Sequence, residues 1–346
     1  MDPGLRRGDE AGLMRAFFDA RQLAHAPKRE LHNGALVPYA EHPGRARAIL
    51  AAIGAAEPAT DHGEAPIRAV HDGAYLDFLK NAHADWRDAG RPGDAVGYAW
   101  PVVRRRELAL DRIDARLGRY SFDASTPVAA ATWQSAYWSA QTALTALDAL
   151  LAGERAAFAL CRPPGHHAGA DYLGGYCYLN HAAIAAEAAA ATGRCAAILD
   201  LDYHHGNGTQ DIFHARGDVL FASIHADPAT DYPFFWGHAD EAGAGDGEGA
   251  TLNLPLPRGT DIEAYRPALG RALDAIASFG AELLVVSFGA DTYEGDPISH
   301  FRLRTRDYPE LARHVAGLGL PTLVAMEGGY AVSALGDNVA AFLSGF

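Results

Sequence analysis

From residue 127 onward, short apolar runs alternate with longer segments whose apolar positions repeat at helical spacing. The runs at 156–161, 195–200, 219–224, 283–288 and 322–326 read as strands, with 252–256 as a further one. Between them, 127–152 reads as a helix burying Trp133, Tyr137, Ala140, Leu144 and Leu151, stopped by Gly153. Helices are also predicted over 181–192, 262–278 and 308–316, the first two closed by Gly193 and Gly280. This alternation predicts an α/β protein: a mostly parallel sheet covered by helices on both faces.

The first 126 residues are less regular. Residues 1–13 are polar and glycine-rich and read as a disordered leader or a start placed too early; a strand-like piece follows at 16–18. Residues 23–39 read as loop, with Pro27, Asn33-Gly34 and Pro38 as turn signals. A helix follows to about Ile53, and Tyr75, Phe78 and Leu79 give 67–80 helical spacing. Residues 89–122, with the run Arg104-Arg105-Arg106-Glu107, read as an inserted excursion: either the kind of long loop that serves function or a partner, or a solvated, partly disordered flap. With no internal repeat and no linker, residues 14–346 read as one domain.

Composition narrows the functional classes. The 346 residues are 49% hydrophobic and 21% charged, which excludes a disordered or coiled-coil chain. A net charge of −14 argues against a nucleic-acid partner and suits a cationic substrate. Cys161, Cys177 and Cys195 match neither a zinc knuckle nor a disulfide framework, so a reducing cytoplasm is expected. No signal-peptide pattern and no membrane-spanning apolar run is seen, so no membrane partner is expected.

The chemistry gathers after the strands, where open α/β sheets place their sites. Asp200, Asp202 and His204 are spaced by two, which on a strand directs them to one face. Turns favour Asp, Asn and Gly, but they do not require two adjacent histidines behind two aspartates. Other predicted strand ends deliver His166-His167, Ser223-Ile224-His225, Asp291, and Glu327-Gly328-Gly329-Tyr330. Asp202, His204 and Asp291 form a three-ligand set for Zn²⁺ or Fe²⁺ that leaves a position open. His166 and His167 can move protons, and Tyr330 can donate to an oxyanion. These parts describe metal-assisted hydrolysis of an acyl bond. His205, His225 and His71 read as packed structural histidines.

Four blocks carry a resemblance: Pro163 to His167, Gly174 to Asn180, Asp200 to Gly208, and Glu327 to Tyr330. Together they resemble the zinc-dependent histone deacetylase superfamily, over roughly Met14 to the C-terminus. The resemblance implies an arginase-like three-layer α/β/α fold. Asn207, the motif Cys161-Arg162-Pro163-Pro164 and the excursion make the bacterial acetylpolyamine amidohydrolases the most similar branch. In that branch a similar insertion closes the channel and helps build a homodimer.

Carried over, the resemblance implies Zn²⁺ on Asp202, His204 and Asp291, with His167 as general base and then acid. His166 with Asp200 would stabilise charge, Asn207 would hold His167, and Tyr330 would bind the carbonyl oxygen. An inner K⁺ site would use Asp200, Asp202, His204, Ser223 and Ile224, and an outer one Phe213 and Val219. Gly175, Tyr176 and Tyr232 would line a channel for an aliphatic chain, although Tyr232 also reads as core. Apart from the resemblance, Glu30, Asp111 and Asp114 are candidate acids for a distal ammonium, although acids in loops are usually just solvated. The expected activity is deacetylation of N-acetylated polyamines or small amines. A protein acetyl-lysine deacetylase or broader acylamide hydrolase has the same local chemistry. An arginase-type ureohydrolase lacks its second metal's ligands here. A non-catalytic zinc-binding module would have lost a catalytic residue, yet His166, His167 and Tyr330 are all present.

Overall fold

The computed structural model describes residues 14–101 and 109–346. The expectation for residues 1–13 lies outside the described residues, as does part of the excursion, including its arginine run. Seven strands form an all-parallel sheet: β1 (Arg15–Phe17), β4 (Ala156–Ala159), β5 (Ala196–Asp200), β6 (Val219–Ala226), β7 (Thr251–Leu256), β8 (Leu283–Phe288) and β9 (Thr322–Met326). Their spatial order is β1-β4-β9-β8-β5-β6-β7.

The strands alternate strictly between two apolar faces, as period-two side chains must. Leu199, Ala222, Val286 and Val324 meet the helices Gly44–Ile53, Ile262–Phe279, Tyr308–Ala316 and Val332–Leu343. Ile198, Phe221, Val285 and Ala325 meet Thr132–Leu151 and His181–Ala190. The second face is alanine-rich: Ala182, Ala183, Ala185, Ala186 and Ala189 are all fully buried, and their small side chains let that helix lie close to the sheet. The result is three layers, α/β/α, with all strand carboxyl ends on one rim.

Several expectations are revised. Residues 23–39 include an antiparallel hairpin, β2 (Arg29–His32) and β3 (Ala35–Pro38). It turns at Asn33-Gly34, whose φ values of 48° and 81° suit the tight turn that strand twist prefers. The excursion contains a helix, Ile113–Tyr120, anchored where Ile113 and Leu117 join Leu76, Leu79 and Val128 in one buried apolar cluster. The helix predicted from 127 begins at Thr132. Asp202 and His204 do not continue a strand: β5 ends at Asp200, and the next residues form a bend. Asn207–Phe213 and Val332–Leu343 are further helices that the sequence reading did not foresee.

Candidate active site

The bend after β5 is built from its own side chains. Asp200 Oδ1 accepts from the Asp202 amide at 3.0 Å, and Asp202 Oδ1 accepts from the His204 amide at 2.9 Å. Asp202 Oδ2 accepts from the Gly328 amide at 2.8 Å, and Asp291 Oδ1 from the Tyr203 amide at 3.0 Å. These bonds tie the ends of β5, β8 and β9 together. They bring His204 Nδ1 to 3.3 Å from Asp202 Oδ1 and 3.2 Å from Asp291 Oδ2.

Glycine makes this approach possible. A Cβ at Gly289 would lie 2.0 Å from Asp202 Oδ2, and one at Gly328 would lie 2.5 Å from Asp291 Oδ2. Two buried carboxylates packed this closely repel, and burial followed by the Asp202 charge pushes Asp291 up to about 7. Burial opposes a charge on His204, yet its bonds to Asp202 and Asp291 prevail and push the ring up to about 10. The arrangement calls for positive charge. One imidazole nitrogen and two carboxylates within 4.8 Å of one another fit a divalent cation with an open position. A second group, His166, Cys177 and Glu327, is fully buried. Glu327 there already accepts from the Gly165 and His166 amides and pairs with His181, so it fits a structural knot better than a metal site.

The two adjacent histidines are held differently. His166 Nδ1 lies 2.9 Å from Asp200 Oδ2. Burial works against its charge, but Asp200 and Asp202 outweigh it and push His166 up to about 10. His167 Nδ1 lies 2.7 Å from Asn207 Oδ1. Burial, then the neighbouring His166 and His204, hold His167 well below the usual histidine range. The Asn207 oxygen can only accept, so Nδ1 carries the proton and Nε2 is the basic atom.

A cavity of about 370 Å³ opens onto this centre, lined by His167, His204, Gly175, Tyr176, Tyr232 and Tyr330 among others. Tyr232 packs edge-on against His167 and His204, with ring centroids 5.2 and 6.0 Å away. Tyr176 and Tyr330 are 5.6 Å apart. Among the described residues, the non-glycines with positive φ are Asn33, Tyr176 and Phe234, and all three line the cavity. Such strained backbone gathers at functional sites.

Other expected residues fall in different places. Glu30 is 3% exposed and stands behind Tyr176, accepting from its hydroxyl at 3.0 Å. Asp114 is bound by Arg91 and Arg112, and with Asp111 it borders a separate cleft. Ser223 faces Asp200 across the β5–β6 pair, with its hydroxyl 2.8 Å from His225 Nδ1. Ile224, Phe213 and Val219 are buried.

The sequence reading missed Arg45 and Asp296. Arg45 donates to the Glu327 and Gly329 carbonyls and lies over the Tyr330 ring. Asp296 accepts from the Tyr330 and Ala331 amides at 2.6 and 3.1 Å. Both hold the segment that carries Tyr330.

The fold and the site define a class: residues 39–346 match the histone deacetylase domain. The chain belongs to the histone deacetylase family and is a deacetylase, hence a hydrolase. Within the family it is similar to acetylpolyamine amidohydrolase 1 of Pseudomonas aeruginosa, at 49% identity over 342 residues, covering 96% of this chain and 99% of that one. It is 47% identical to the acetylpolyamine amidohydrolase of Mycoplana ramosa over 339 residues, covering 96% and 99%. The crystal structure of the acetylpolyamine aminohydrolase from Burkholderia pseudomallei superposes with a TM-score of 0.92 at 41% identity, covering 96% and 98%.

Proposed function

We propose that this chain is a zinc-dependent amidohydrolase that removes acetyl groups from N-acetylated polyamines or similar small aliphatic amines. The observation that carries the reading is the meeting of His167, His204 and Tyr330 at one cavity walled by Tyr176 and Tyr232. The names of the relatives above support the substrate class.

A Zn²⁺ held by Asp202, His204 and Asp291 would polarise the amide carbonyl and acidify the attacking water. His167 Nε2 takes the water's proton as the new C–O bond forms. It then returns that proton to the nitrogen as the C–N bond breaks, releasing the amine and acetate. Asn207 keeps the proton on Nδ1, so Nε2 stays available. His166, charged against Asp200, offsets negative charge in the transition state. Tyr330 stays protonated, since burial raises its phenol well above the usual range, and donates to the carbonyl oxygen as charge develops there. Tyr176 and Tyr232 flank the aliphatic chain.

The reading includes K⁺ at Asp200, Asp202, His204, Ser223 and Ile224, and at Phe213 and Val219. It places residues 14–346 in one catalytic domain, with a homodimer joined through 89–122. A cytoplasmic location is supported by Cys161, Cys177 and Cys195, all free thiols. No helix among the described residues is long and apolar enough to cross a membrane.

The test is steady-state turnover of acetylputrescine, acetylcadaverine, acetylspermidine and an acetyl-lysine peptide, side by side. A kcat/KM at least about tenfold higher for a small amine, roughly 1.4 kcal/mol, supports the reading. A peptide that is hydrolysed better transfers the assignment to proteins. No turnover after zinc loading removes the hydrolase reading.

A further inference from the structure

We propose that Tyr172, anchored by Asp211, is a positioning residue for the proton transfer: its hydroxyl orients the Asn207 amide and thereby fixes which nitrogen of His167 carries the proton. The proposal rests on the amidohydrolase reading above, in which His167 Nε2 is the base.

The chain of bonds starts at a group that only accepts. Asp211 lies one turn beyond Asn207 in the helix Asn207–Phe213, so the two share a helix face. The Tyr172 hydroxyl donates to Asp211 Oδ2 at 2.6 Å, whereas the Asn207 carbonyl is 3.5 Å from it. A hydroxyl has one proton, and the short bond to a carboxylate takes it. The Tyr172 oxygen is then an acceptor, and Asn207 Nδ2 donates to it at 3.3 Å. With Nδ2 engaged there, Asn207 Oδ1 is the atom that faces His167 Nδ1, at 2.7 Å. That ring nitrogen must donate, so Nε2 is left bare.

An asparagine needs this direction, whereas a carboxylate accepts at both oxygens and does not. An amide turned by half a revolution would offer an N–H to His167 Nδ1 and move the ring proton to Nε2, where the base is lost. Both orientations have the same shape, so packing does not choose between them, and the Tyr172 oxygen does. The tyrosine ring is fixed for this role. It is buried, packs edge-on against Phe122 with centroids 5.6 Å apart, and lies where a Cβ at Gly169 would overlap it.

The experiment compares the zinc-loaded wild type, Tyr172→Phe, Asn207→Asp and the double variant on acetylputrescine, each on its pH plateau. Phenylalanine keeps the ring and removes the hydroxyl. Tyr172→Phe is expected to lower kcat about tenfold, with KM changed less than about twofold. In the Asn207→Asp background the same change should cost less than about twofold, because the two residues act as one unit. Equal losses in both backgrounds would make the hydroxyl a structural contact and overturn the proposal, as would no loss in the first. Nitrogen NMR of histidine-labelled protein reads the tautomer without substrate, the His167 signal being identified by its loss in His167→Gln. The wild type should carry the proton on Nδ1, and the Nε2-protonated form should appear in Tyr172→Phe and vanish in the double variant. A wild-type ring protonated on Nε2, or a tautomer unchanged in Tyr172→Phe, overturns the proposal. The underlying reading fails separately, if the wild type turns over no acetylated amine.

Discussion

The side-chain oxygen of Asn207 lies 2.7 Å from Nδ1 of His167, so a neutral group occupies the position from which a charge would most directly tune the base. A carboxylate there would favour the imidazolium. His167 is held well below the usual histidine range; in the proposed mechanism the free base is the working form, so activity should persist as pH falls toward that low value. Asn207→Asp raises the His167 pKa and moves the acid limb of kcat/KM upward by roughly one to three pH units. A pH–rate profile that does not move would remove His167 as the base.

In the proposed mechanism, Tyr330→Phe deletes a donor used mainly in the transition state. It should lower kcat by about 10²–10³-fold with little change in KM. Zinc content, measured alongside, should be unchanged. A large rise in KM at constant kcat would instead make the phenol a ground-state contact.

Removing the metal with a chelator should abolish turnover, and Zn²⁺ should restore it. The glycines beside the donors matter as much as the donors. Gly289→Ala places a methyl 2.0 Å from Asp202 Oδ2, so the carboxylate must swing away. Metal affinity should fall by about 10–100-fold, the usual effect of disturbing the groups that orient ligands. Competition with a chromophoric chelator measures this, and unchanged affinity would exclude the Asp202 site.

Glu30 gives a stability signature. Burial, only partly offset by bonds from Tyr176 and Ala40, pushes its carboxyl up to about 7 from 4.5. Its folded pKa is raised, so its cost is absent below the unfolded value, grows from there to about pH 7, and is fully present above. Glu30→Gln should therefore raise Tm at pH 8 by roughly 2–4 °C, the shift about 1 kcal/mol gives in a large domain. At pH 4.5 it should have little effect. Equal shifts at both pH values would show that the carboxyl ionises normally.

The sheet was legible because each strand is an apolar run bounded by glycine or polar residues, and parallel strands buried on both faces need no alternation. The centre was legible because Asp202, His204, His166 and His167 sit in dense local motifs. What escaped depends on distant contacts. Asn207–Phe213 begins in Gly206-Asn207-Gly208, which reads as a turn; the Thr209 amide bonds to the His166 carbonyl at 3.1 Å, over forty residues away. Val332–Leu343 contains Gly336, which serves close packing: a Cβ there would lie 2.5 Å from the Ala48 carbonyl. The even spacing of Asp200, Asp202 and His204 suggested a strand edge, whereas the side chains themselves fold that segment into a bend.

The strand order also governs how the chain can be made. β9, the last of the seven strands in chain order, lies between β4 and β8 and joins β1-β4 to β8-β5-β6-β7. Until residue 326 leaves the ribosome, the sheet exists only as two pieces with open edges facing each other. At about 5–20 residues per second, that interval spans many seconds after β4 has emerged. Tyr330 and Gly328 arrive with the same closing strand. The nascent chain is therefore most exposed to aggregation just before it gains both its central strand and its complete site, and protection by chaperones would matter most in that window.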